Sequence, residues 1–200
     1  MHTDTNLLQP VAGAGGKHAL PGDLAMWFFI LAELLVFGIF FLAYAYTRAR
    51  HVALFNASQQ ELDRVSGTIN TLLLITSSYF VARAVAAMRQ GLDKICGAWL
   101  VAAIGCGLAF VILKLLEFAA KIQAGISMST NLFYMFYLFL AFFHFMHVIL
   151  GMVILGAIAR KAWQGGYSRH DYSGVETGAA YWHMVDLVWI ILFPLVYVLH

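Results

Sequence analysis

Five stretches of the chain, at about 24–46, 68–88, 95–120, 131–159 and 179–199, run for about twenty residues or more with very few charges. The hydrocarbon of a bilayer is about 30 Å thick and a helix rises 1.5 Å per residue, so about 20 apolar residues cross it. In lipid each backbone amide must pair within its own segment, which makes every one of these stretches a helix. The expected fold is all-α, an integral membrane bundle of five transmembrane helices over residues 23–200, preceded by a segment at 1–22. Composition agrees: 62% of the residues are hydrophobic and 11% charged. A soluble domain is about half apolar and about a quarter charged, and a soluble chain of 200 residues could not hide the excess in its own core. The net charge of +2 is too small for a nucleic-acid footprint, so nucleic acid is not an expected partner.

Local signals mark the helix ends. Asp23 after Pro21-Gly22, Ser66 or Thr68, and Thr130-Asn131 are the expected caps, and Pro194 is expected to kink the last helix. The stretch around Asn56 reads as a loop, and 89–94 as a tight turn. No soluble domain fits between spans, and no internal repeat argues for a transporter. The first residues have no basic head and no short apolar run, so they do not read as a signal peptide. Lys17, Arg83, Arg89, Lys94, Arg160, Lys161 and Arg169 fall on one side, against Arg48, Arg50, Arg64 and Lys121 on the other. That bias predicts a cytoplasmic N-terminus and a periplasmic C-terminus.

Ionisable groups inside a span are costly and mark either function or buried pairing. Glu33 lies near the middle of the first span. Lys114 and Glu117 are i and i+3 in the third, which suits a local ion pair or snorkelling to water. His144, His147 and Gly151 follow one face of the fourth, and Glu176, His183 and Asp186 one face of the fifth. Asn70, Ser77 and Ser78 in the second span read as polar packing residues between helices. The aromatic run from Phe133 to Phe145 reads as lipid-facing or packing surface, and Cys96 and Cys106 as small core residues. A metal is not expected. There is no repeated Glu-x-x-His pair, and neither cysteine has a ligand-spaced partner. His144 and His147 share one helix face and cannot flank one haem; His147 and His183, on antiparallel helices at similar depth, are a geometrically possible pair. A hydrogen-bond network between helices is the favoured reading, with no catalytic residue.

Glu176, followed by Tyr181-Trp182-His183-Met184-Val185-Asp186 and Val188-Trp189, strongly resembles the closing helix of subunit III of the haem–copper oxidases. His144-Phe145-Met146-His147-Val148 with Gly151 is similar to that family's fourth-helix motif in this chain's order. Asn70-Thr71 with Ser77-Ser78, and Glu33 after Trp27-Phe28-Phe29-Ile30, match it as well. The resemblance implies a subunit III-like fold and a non-catalytic accessory subunit in a bacterial inner membrane. Haem would be carried by a partner catalytic subunit, with no cofactor bound by this chain. Five spans, Ser129-Thr130-Asn131, and Lys114 with Glu117 are more similar to NorE-type proteins linked to nitric oxide reductase. A nitric oxide reductase subunit is therefore the expected partner, and an oxygen-reducing cytochrome c or quinol oxidase the alternative. The accessory role implied is support of stability, assembly or proton uptake, with Glu33 as the proton-linked residue. The family also binds phospholipid, an implication weakened here because the first two helices of its long members are missing.

Overall fold

A computed structural model describes residues 24–167 and 171–199. The 1–22 segment, Lys17, Asp23 and Arg169 lie outside the described residues. Six helices follow in order: α1 (Leu24–Arg50), α2 (Val52–Gln60), α3 (Arg64–Arg89), α4 (Asp93–Gln123), α5 (Leu132–Trp163) and α6 (Ser173–Phe193). A π-helical turn over Pro194–Val198 continues α6. All but α2 are long and apolar enough to cross a membrane, and the chain is a multi-pass membrane protein.

The helices outrun the apolar stretches that announced them. At 31 residues, α4 is about 46 Å long, against about 30 Å of hydrocarbon. The extra turns carry Arg48 and Arg50, Arg89, Lys121, and Arg160 and Lys161. Such long cationic side chains keep helical backbone while reaching water, so hydropathy underestimates each helix. The start of α3 lies further back than Ser66 or Thr68. Asp63 caps it, its Oδ1 accepting from the amides of Val65 at 2.9 Å and Ser66 at 3.2 Å. Asn131 caps α5 as expected, accepting from Tyr134 N at 2.9 Å. Gly91 and Gly125 close α3 and α4 at φ 74°, the left-handed conformation that ends a helix and that side chains disfavour.

The expected loop around Asn56 is instead the helix α2, lying across one end of the bundle. Phe55 anchors it, fully buried between Tyr44 (ring centroids 5.3 Å apart) and Phe133 (5.5 Å). Pro194 does not simply kink α6. The helix widens into a π turn in which Leu199 N donates to Pro194 O at 2.9 Å. Terminal carbonyls left without an intrahelical donor need another. Gln59 of α2 supplies it, donating to Val196 O at 3.0 Å and lying 3.3 Å from the Tyr44 hydroxyl.

Helices α3, α4, α5 and α6 pack in sequence, and α6 returns against α3 to close a ring of four. Helix α1 stands outside that ring against α6 and α5, burying a single stripe of Ile30, Phe37 and Tyr44. Trp182 of α6 is wedged between α4 and α5. A Cβ at Gly107 would lie 3.0 Å from its ring, and one at Gly151 2.7 Å. The aromatic run of α5 divides, with Phe133, Tyr134, Tyr137 and Phe145 buried and Phe139 and Phe142 exposed.

Candidate functional site

The polar side chains within the spans gather in three places. The first joins α4, α5 and the π turn. Lys114 is 1% exposed, so the snorkelling alternative does not hold: α4 continues nine residues beyond it to Gln123, and the ammonium has no route to water. It turns inward, donating to Glu117 Oε2 at 2.7 Å and to the Tyr197 hydroxyl at 2.8 Å. Its Nζ also lies 4.9 Å from the centre of the Trp189 ring. Glu117 accepts further from Tyr197 at 2.8 Å and from Tyr137. One carboxylate thus collects three donors, the arrangement that makes a buried charge tolerable. Toward the loops the pattern continues with Tyr134 donating to Glu61 at 2.7 Å.

The second place lies between α1 and α5. His147 Nε2 is 3.1 Å from Glu33 Oε2, and its Nδ1 is 2.8 Å from the carbonyl of Phe143. A carbonyl can only accept, so Nδ1 carries hydrogen. Neutral imidazole then offers Nε2 as an acceptor, and the contact requires a proton on Glu33; the alternative is imidazolium facing carboxylate. In either form Glu33 and His147 together hold one proton besides the Nδ1 hydrogen. The rings of Phe37 and Phe143 enclose the imidazole at 5.3 and 4.7 Å. His144, one turn earlier, points elsewhere: it is fully buried against Phe110 and Trp189, and neither ring nitrogen has a partner among the described residues.

The third place joins α3 and α6. Ser78 Oγ is 2.6 Å from His183 Nδ1, and Asp186 one turn further along α6 is buried with its Oδ1 unpartnered among the described residues. Ser77 donates to Ala103 O of α4 at 2.8 Å, a direct helix-to-helix bond. Asn70 is fully buried without a partner among the described residues. Glu176, expected on one face with His183 and Asp186, does line one cleft with His183, and its carboxylate pairs with Arg89 at 3.1 Å. His147 and His183, the pair weighed for a haem, are engaged separately, His147 through both nitrogens and His183 through Nδ1. Among the described residues no three His, Cys, Asp or Glu side chains converge in a metal-ligand set.

Sequence reasoning missed Tyr137, Tyr197 and Gln59. Tyr137 was hidden in an aromatic run, and the other two act across distances that no local pattern signals.

The chain matches the family described as cytochrome c oxidase subunit III over residues 16–200. It is 32% identical to cytochrome c oxidase subunit 3 of Synechocystis sp., over all of this chain and 85% of that protein. Identity to cytochrome c oxidase subunit 3 of Thermostichus vulcanus is 34%, over 88% of this chain and 86% of the relative. Quinol oxidase subunit 3 of Bacillus subtilis is 29% identical, with 88% and 86% covered.

Proposed function

The chain belongs to the cytochrome c oxidase subunit III family, and from that premise we propose that it is the third subunit of an oxygen-reducing terminal oxidase, an accessory partner of a haem-bearing catalytic subunit. The observation that carries the reading is the family match across 16–200, joined to relatives named as cytochrome c and quinol oxidase subunits. Those names favour the oxidase alternative over the NorE-type assignment that the sequence motifs first suggested. The geometry is compatible with support rather than chemistry. Its polar groups are engaged mainly with one another, and the one shared proton at Glu33 and His147 is the element suited to a proton-linked role. The N-terminus is assigned to the cytoplasm because, among the described residues, Arg83, Arg89, Lys94, Arg160 and Lys161 lie toward one end of the bundle, against Arg48, Arg50, Arg64 and Lys121 toward the other.

A tagged chain purified from native membranes in mild detergent tests the assignment. The expected companion is a haem-bearing subunit, with oxygen consumption in the recovered complex. Recovery with a nitric-oxide-reducing haem protein would restore the NorE-type reading, and recovery of the chain alone in several detergents would overturn the accessory role.

A further inference from the structure

At the end of the bundle that carries α2, a cavity of about 400 Å³ opens between the start of α3 and the last turns of α4. Leu113, Glu117, Ala120 and Ala124 line it at a spacing of four, three and four residues, which is one stripe along α4. Glu61, Asp63 and Lys121 stand at its mouth, where Glu61 and Asp63 are exposed. Measured along α4, Glu117 lies about 6 Å inside Lys121 and Leu113 about 12 Å. The alanines at 120 and 124 are too short to close the space between.

The cavity borders the outer side of the buried Lys114 network. Glu117 Oε1 accepts from Tyr137 and Tyr197, and Oε2 accepts from Lys114. A carboxylate offers about four acceptor positions, so Glu117 has room for one more donor where the cavity meets it. Nearer the mouth the arrangement repeats, with Tyr134, three residues before Tyr137 on α5, donating to Glu61. The charged groups facing Glu117 across the cavity are thus Glu61, Asp63 and Lys121, with Lys114, Tyr137 and Tyr197 behind it. Hydrocarbon in this space would leave the carboxylate's remaining position unmet, which is costly for a buried polar group. An anionic headgroup would face two carboxylates at the mouth, where Lys121 already donates to the Glu61 carbonyl at 3.1 Å. Water meets every one of these groups, and at about 30 Å³ for each molecule there is room for several.

We infer that this cavity is an aqueous inlet, filled by water from the end of the bundle that carries α2 and ending on Glu117. Water there supplies the carboxylate's remaining donor and brings protons of the bulk phase to the edge of the network. Lys114 keeps no contact with water of its own; its ion-pair partner is wetted instead, and from one side only. The inlet is separate from the Glu33–His147 pair between α1 and α5, and it does not depend on the oxidase-subunit reading.

The test is thiol labelling of Leu113→Cys and Ala120→Cys, each in the full chain in native membranes, with a membrane-impermeant cationic methanethiosulfonate. The reagent attacks the thiolate, which forms where water reaches the sulfur. Both positions are expected to label from the side that labels Gln123→Cys at the exposed end of α4. They are expected to react at least about tenfold faster than Leu115→Cys, because a thiol in apolar surroundings keeps its proton. Leu115 is 51% exposed and lies about 200° around the helix from Leu113. The rate at Leu113→Cys is expected to rise about tenfold per pH unit below about pH 8, as for a thiol in equilibrium with bulk protons. Adding Ala124→Trp at the mouth is expected to slow it severalfold. The parent chain, whose Cys96 and Cys106 lie outside the lining, gives the background rate. Ala120 is exposed, so Ala120→Cys carries the test even where Leu113→Cys fails to assemble. Rates no faster than at Leu115→Cys would mean that lipid or a partner fills the cavity, and would overturn the inlet. So would labelling only from the side opposite Gln123→Cys.

Discussion

Replacing Lys114 by Met is the sharpest probe of how the interior holds its charges. The ammonium makes hydrogen bonds at 2.7 Å to Glu117 and 2.8 Å to Tyr197, and stands 4.9 Å from the Trp189 ring centre. Met fills similar volume and supplies none of these contacts. Glu117, 8% exposed, is left with its two tyrosine donors and no counter-charge. Removing one member of a buried pair costs about 3–5 kcal/mol because the other is stranded. Glu117 can relieve part of that by binding a proton, so the lower end, about 3 kcal/mol, is expected, a more than hundredfold fall in the folding equilibrium constant. Glu117→Gln is expected to cost about as much, since it strands Lys114 instead. The double variant Lys114→Met/Glu117→Gln strands nothing, and its cost is expected to fall short of the sum of the singles by at least about 2 kcal/mol. Reversible unfolding in mixed micelles, followed by tryptophan fluorescence, measures all three. Additivity within about 0.5 kcal/mol would show that the two groups do not compensate each other, and the reasoning would fail.

Three further changes probe the other places. Glu33→Gln is expected to shift stability by less than about 1 kcal/mol, because the amide can still donate to His147 Nε2; a larger loss would mean that the pair depends on full charge. Ser78→Ala removes the 2.6 Å contact to His183 Nδ1 and is expected to cost about 0.5–1.5 kcal/mol, so an unchanged unfolding midpoint would refute the α3–α6 network. Gly151→Ala forces a Cβ to within 2.7 Å of the Trp182 ring and is expected to cost about 1–3 kcal/mol through overpacking. Gly38→Ala, with nothing within 4 Å of the added carbon, serves as the neutral comparison in the same melts.

The five spans were legible because hydrocarbon imposes one demand along the whole chain, and 24–46 or 131–159 satisfy it without reference to any other segment. Helix α2 was not. Nine residues with only Phe55, Ser58 and Gln59 buried carry no lasting periodicity, and what holds α2 in place is Gln59 reaching carbonyls at 195 and 196. The π turn was hidden for the complementary reason. A proline predicts a disturbed helix, but its outcome depends on a donor more than a hundred residues away.

The site shows the same boundary between local and distant causes. Lys114 and Glu117 were recognisable as a pair because three residues along a helix bring side chains together. Their completion by Tyr197 depends on where the π turn sets that ring. His144 and His147 were grouped for the same spacing, yet three residues leave about 60° between them around the axis. On a helix flanked by α4 and α6 on one side and α1 on the other, that angle sends one ring into the packed core and the other to Glu33. A shared face is thus a coarse statement wherever a helix has neighbours on both sides. His183 carries this furthest. Its register with Asp186 is visible in the sequence, but the hydroxyl that meets its Nδ1 belongs to Ser78 on another helix, which no spacing along α6 could announce.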